Sequence, residues 1–131
     1  MNSKRVITFG TFDVFHIGHL RILDRARQLG GFLSVGVSTD ELSRRKKGVY
    51  PVFPEEQRVA IVSGLRVVDR VFLEESLEQK REYILAEKAH VLVMGDDWRG
   101  KFDELADICE IVYLPRTPAV STTAVIEKIR V

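Results

Sequence analysis

One cysteine, one tryptophan and four prolines among 131 residues leave little room for several kinds of protein. Cys109 alone can make no internal disulfide and no cysteine-built metal cluster, and at the head of an apolar run it reads as a buried structural thiol. No apolar stretch approaches the roughly 20 residues needed to span a bilayer. The opening Met-Asn-Ser-Lys-Arg runs into a strand pattern rather than a signal-peptide core. The expectation is a cytoplasmic protein with no membrane insertion. Charge of neither sign is in excess: 20 Lys+Arg face 19 Asp+Glu for a net charge of +1, so nothing global argues for nucleic acid. The phosphate-binding fingerprints GxxxxGK[ST] and GxGxxG are both missing. Any anion must therefore be held locally, and by another device.

What is present is alternation. Strand-like runs near 5–10, 32–37, 67–73, 90–95 and 109–114 are separated by segments of helical character near 18–29, 55–65, 77–88 and 101–107, with a last one near 122–130. Leu20, Leu23, Ala26 and Leu29 keep the helical period until Gly30-Gly31 stops it, and Pro54-Glu55-Glu56 opens another helix with an acidic first turn. The strands Phe32-Leu-Ser-Val-Gly-Val and His90-Val-Leu-Val-Met are nearly continuous in apolar residues, as expected where helices cover both sheet faces. Residues 1–131 are thus expected to form one α/β domain, a doubly wound (Rossmann-like) five-stranded parallel sheet with helices on both faces. Ligands of such sheets bind beyond the strand C-termini at the switch point.

The unusual residues fall after the first, fourth and fifth strands. His16-Ile17-Gly18-His19 puts two imidazoles on one face of a helix start, with Gly18 allowing close approach and free backbone N–H groups favouring an anionic oxygen. Gly10-Thr11-Phe12-Asp13-Val14-Phe15 before it adds a hydroxyl and a carboxylate. Zinc is the rival reading of the histidine pair, but His90 and Cys109 begin separate strands and ligands are short. In Arg116-Thr117-Pro118-Ala119-Val120-Ser121-Thr122-Thr123, Ser121 or Thr122 caps the last helix and builds a second phosphate cradle beside the planar Arg116 fork. Standing alone, that stretch would be an ordinary N-cap with a solvent arginine. Met94-Gly95-Asp96-Asp97-Trp98-Arg99-Gly100-Lys101-Phe102 offers two glycines, a lone Trp and carboxylate acceptors for a base pocket. Residues 43–53 carry four consecutive cations without helix or strand period, and read as a mobile basic loop whose Lys46 and Lys47 close over phosphates. Arg58 and Arg66 lie near the sheet edge or are plain surface cations.

Together, GTFDVFHIGHL, STDE, GDDWRGKF and YLPRTPAVSTT resemble, in order and from Val6 to Ile129, the HxGH nucleotidyltransferase superfamily and within it the glycerol-3-phosphate cytidylyltransferases. The resemblance implies transfer of CMP from CTP to glycerol 3-phosphate, giving CDP-glycerol and pyrophosphate for teichoic-acid or capsule-type polymers. Mg²⁺ would be held mainly by the CTP phosphates, with no protein metal site. It assigns catalysis to His16, His19, Lys46, Lys47 and Arg116. Nucleotide binding falls, besides the two histidines and Arg116, to Gly10, Thr11, Phe12, Gly95, Asp97, Thr117, Ser121 and Thr122. Acceptor binding falls to Asp13, Asp40, Arg58, Arg66 and Lys80. A homodimer is implied by Leu65-Arg66-Val67-Val68-Asp69, which matches a family segment near the subunit contact. Pro54-Glu55-Glu56-Gln57-Arg58 is also similar to archaeal FMN adenylyltransferases of the superfamily. The alternatives are therefore the same chemistry on another polyol phosphate or phospho-base, or adenylyl transfer from ATP to FMN. The non-enzyme alternative is a silent nucleotide-binding module.

Overall fold

A computed structural model of the chain describes residues 3–116 and 121–130. The strands β1 (Arg5–Gly10), β2 (Phe32–Ser38), β3 (Arg70–Glu74), β4 (Val91–Gly95) and β5 (Glu110–Leu114) pair in parallel in the order β3-β2-β1-β4-β5. Val6 and Ile7 in central β1 are both 0% exposed although they point to opposite faces, which is why these strands lack polar alternation. On one face Leu23 and Ala26 of α1 (Ile17–Arg27) and Val62 of α3 (Glu55–Ser63) pack on Val6, Val35 and Val37. On the other, Ile84 of α4 (Lys80–Ala86) and Leu105 meet Ile7, Phe9 and Leu92. The chain steps outward from β1 through β2 to β3, then returns to β4 on the far side of β1. Loops leaving the C-terminal ends of β1 and β4 therefore diverge, and a crevice opens between them.

The doubly wound sheet follows the sequence expectation, with three local corrections. The stretch 43–53 is not a mobile loop. Its first half completes α2 (Asp40–Lys47), which Thr39 caps by accepting the Leu42 N–H at 3.1 Å and Gly48 ends at φ +83°. The four cations occupy the last turn of α2, where the helix dipole favours them. The helical expectation for 101–107 resolves into one 3-10 helix, Asp103–Asp107. β3 begins at Arg70 rather than 67, because 65–68 form a turn and the Asp69 carboxylate takes the Leu33 N–H of β2 at 2.8 Å.

The last helix, α5 (Thr122–Ile129), starts with Ser121, whose hydroxyl accepts the Ala124 N–H at 3.1 Å. Thr117 lies outside the described residues.

Candidate active site

The site begins with a sharp connection from β1 to α1. Phe12 and Val14 sit at φ 54° and 47°, a left-handed geometry that costs of order 1–2 kcal/mol for residues with a Cβ. Between them, Asp13 is turned back so that its two carboxylate oxygens accept the N–H groups of Val52 and Phe53 at 2.7 and 2.9 Å. The same connection carries the chain into α1 at His16, the N-cap.

Both histidines are built into the helix start. The His16 Nδ1 accepts the Gly18 N–H at 3.0 Å, and the His19 Nδ1 accepts the His16 N–H at 3.1 Å, a capping box made with imidazoles. The rings stack with centroids 3.9 Å apart. An Nδ1 that accepts carries no proton, so each neutral ring holds its hydrogen on Nε2, as a donor. Burial lowers the pKa of His16. His19 is pushed down to about 4, chiefly by burial and then by the charges of His16 and Lys47, against an opposing pull from Asp13. At neutral pH the pair is two uncharged, oriented N–H donors.

The start of α5 meets this corner. Thr122 Oγ1 donates to the Asp13 carbonyl at 3.1 Å and stands 3.5 Å from His16 Nε2. Around that junction lies a cleft of about 350 Å³. Gly10, Thr11, Phe12 and Asp13 line it from the β1 loop, His16 and His19 from α1, and Lys47 from α2. Gly95 and Asp97 line it from the β4 loop, Arg116 follows β5, and Ser121 and Thr122 open α5. Arg116 pairs with Asp97 at 3.5 Å, bridging the loops after β4 and β5. The loops after the first, fourth and fifth strands thus converge on one hollow.

Other expected site residues stand elsewhere. Arg58, expected to meet an acceptor phosphate, is 0% exposed and has spent its guanidinium on the protein. It donates to the carbonyls of Phe53, Thr11 and Ser38 and to Asp40 Oδ1, at 2.7–2.9 Å. Arg58, Asp13 and Asp40 form a brace that ties the cleft's β1 loop to the end of β2 and to residues 52–53. Lys46 does not line the cleft as Lys47 does: its Nζ donates to Ser38 Oγ at 2.8 Å. Lys80 is buried against Glu74 at 2.6 Å. Arg66 is exposed in the turn before β3, at the opposite edge of the sheet.

Sequence reasoning missed Ile22 and Arg25, which line the cleft from α1, and Arg25 donates to the Pro115 carbonyl at 3.3 Å. The signal was available, since 18, 22 and 25 share one helical face. It also missed Ser38 and Glu74, whose significance lies in contacts across strands.

Among the described residues, no group of three His, Cys, Asp or Glu is placed to hold a metal ion, and no helix is long and apolar enough to cross a membrane.

Comparison with known proteins bears on the same elements. The cytidylyltransferase-like family profile matches residues 7–128, a span that contains every loop of the cleft. The chain belongs to the cytidylyltransferase-like family. Within it, glycerol-3-phosphate cytidylyltransferase of Bacillus subtilis is 50% identical over 127 residues, covering 96% of this chain and 97% of that one. The Staphylococcus aureus protein of the same name is 44% identical, over 93% of this chain and 92% of its own. The crystal structure of a lipopolysaccharide core biosynthesis protein from Thermoplasma volcanium superposes with TM-score 0.75 at 30% identity, covering 87% of this chain and 98% of that one. The cytidylyltransferase-like chain is thus an enzyme of the nucleotidyltransferase type, matched over nearly its whole length.

Proposed function

We propose that the protein transfers CMP from CTP to glycerol 3-phosphate, forming CDP-glycerol and pyrophosphate. The observation that carries this reading is the junction of His16 Nε2 and Thr122 Oγ1, 3.5 Å apart where two helix N-termini meet. Neutral N–H donors, a hydroxyl and two sets of backbone N–H groups suit a polyphosphate bent through that corner. The near-full-length likeness to two glycerol-3-phosphate cytidylyltransferases selects the nucleotide and the acceptor.

In this reading an acceptor phosphate oxygen attacks the α-phosphorus of CTP in line, the new P–O bond forms, and the bond to the β-phosphate oxygen breaks to release pyrophosphate. The nucleophile is already anionic at neutral pH, so no general base is needed. Positioning and charge stabilisation carry the rate. The Nε2–H donors of His16 and His19 strengthen as charge grows on the α-phosphoryl oxygens. Lys47 and Arg116 add positive charge from opposite walls. Magnesium enters as part of the substrate, magnesium–CTP, and neutralises the outer phosphates when bound. The reaction belongs in the cytoplasm, where CTP is. A homodimer fits the open edge at β3, where Leu73 and nearby Ile61 of α3 are 39% and 42% exposed.

The test is pyrophosphate release over a grid of CTP, UTP and ATP against glycerol 3-phosphate, other polyol phosphates, a phospho-base and FMN. CTP with glycerol 3-phosphate should give the highest kcat/KM. Another pair exceeding it, or nucleotide binding with no turnover in any combination, overturns the reading.

A further inference from the structure

Behind the cleft lies a chain of buried polar groups that the reading above leaves unexplained. Ser38 and Glu74 are register partners on β2 and β3, 0% and 1% exposed. Ser38 Oγ donates to Glu74 Oε1 at 3.2 Å, and accepts from Lys46 Nζ at 2.8 Å. Lys80 Nζ donates to Glu74 Oε2 at 2.6 Å and sits 3.8 Å from the centroid of Phe9, itself a wall of the cleft. Donation runs one way, from Lys46 through the Ser38 hydroxyl and from Lys80 directly, and ends on a single carboxylate.

A stability role alone does not account for this arrangement. A buried Lys–Glu pair is commonly matched or bettered by apolar residues of similar volume. Lys46 is in the last turn of α2, where a four-carbon stem reaches water easily, yet its ammonium is turned inward. Within this chain two ammonium groups, Lys46 through Ser38 and Lys80 directly, share the one carboxylate of Glu74 beside a cleft built for anions.

We infer that Glu74, bridged by Ser38, is a positioning residue that holds the Lys46 ammonium just behind the cleft wall, where its charge favours the acceptor phosphate. The inference rests on the cytidylyl-transfer reading. It divides the work between adjacent lysines: Lys47 faces the cleft directly, whereas Lys46 acts from behind the wall. Its electrostatics agree. Burial draws Lys46 down to about 8, Glu74 opposes this, and Lys80, Lys47 and Arg58 deepen it. Glu74 is the group that favours the charged ammonium against burial and the neighbouring cations.

The experiment compares wild type, Glu74→Gln, Glu74→Asp and Ser38→Ala, using glycerol 3-phosphate with magnesium–CTP across the alkaline pH range. In wild type kcat/KM should fall as pH rises through about 8, where Lys46 loses its proton. Glu74→Gln should move that limb down by about one pH unit, cutting kcat/KM at pH 8 about fivefold, with KM for glycerol 3-phosphate rising more than KM for CTP. Glu74→Asp should restore part of both. Ser38→Ala breaks the bridge without stranding Lys80, so it carries the test if Glu74→Gln does not fold. NMR titration of the Lys46 ammonium gives a readout independent of turnover, and Ser38→Ala should shift it downward. An unmoved limb and an unmoved Lys46 titration in folded Ser38→Ala overturn the inference while leaving the cytidylyl-transfer reading intact. Failure of wild type to turn over CTP with glycerol 3-phosphate overturns that reading instead.

Discussion

Acidifying the protein should unlatch the start of α1, and His19 sets the size of the effect. In the folded chain its pKa is about 4 against an ordinary 6.5, so between these values the unfolded chain binds the extra proton. Stability from this group is complete above pH 6.5, falls through that window and is exhausted below about 4. At pH 5 the two values correspond to about 2 kcal/mol lost relative to neutral pH, and the full difference to about 3 kcal/mol. The structural cause is specific. A protonated Nδ1 cannot accept the His16 N–H, so charging the ring breaks half of the capping box and sets a cation beside stacked His16. His19→Gln is the matched control, because Gln at the same helix position completes a capping box but does not titrate. Urea unfolding at about pH 7.5 and about pH 5 should show wild type losing about 2 kcal/mol more than His19→Gln. Carboxylate contributions cancel in that comparison. Equal losses in the two proteins, or an NMR titration of the His19 ring at its ordinary value, would refute the reasoning.

Two further substitutions separate chemistry from scaffold. His16→Asn keeps an N-cap acceptor and deletes the Nε2–H, so kcat should drop about 10²–10³-fold while urea stability stays within about 1 kcal/mol of wild type. A kcat within a few-fold of wild type would remove His16 from the reaction. Arg58→Met should cost about 3–5 kcal/mol by urea unfolding, because it leaves the carbonyls of Thr11, Ser38 and Phe53 without their buried donor and the half-buried Asp40 without its cation. A loss below about 1 kcal/mol would mean that the brace is not what holds the β1 loop.

The sequence carried the alternation of elements and the motifs at strand ends, because periodicity, caps and glycine stops are local signals. It carried the histidine pair for the same reason: two imidazoles three positions apart at a helix start are neighbours in any context. It also held a signal that was overlooked, Thr39-Asp40-Glu41 ahead of four cations and Gly48, which starts and ends α2 by ordinary helix chemistry. Beyond that reach lay everything decided by distant partners. Whether a buried cation faces substrate or protein depends on which acceptors the fold brings to it, and nothing near Arg58 in the chain announces the carbonyls of Thr11 and Ser38. Lys46 and Lys47 are chemically alike and adjacent, and only the packing of α2 over Ser38 and Glu74 turns one down and the other toward the cleft. Residue types and spacing thus determined what chemistry the strand ends offer, and tertiary structure decided which charges are spent on holding it in place.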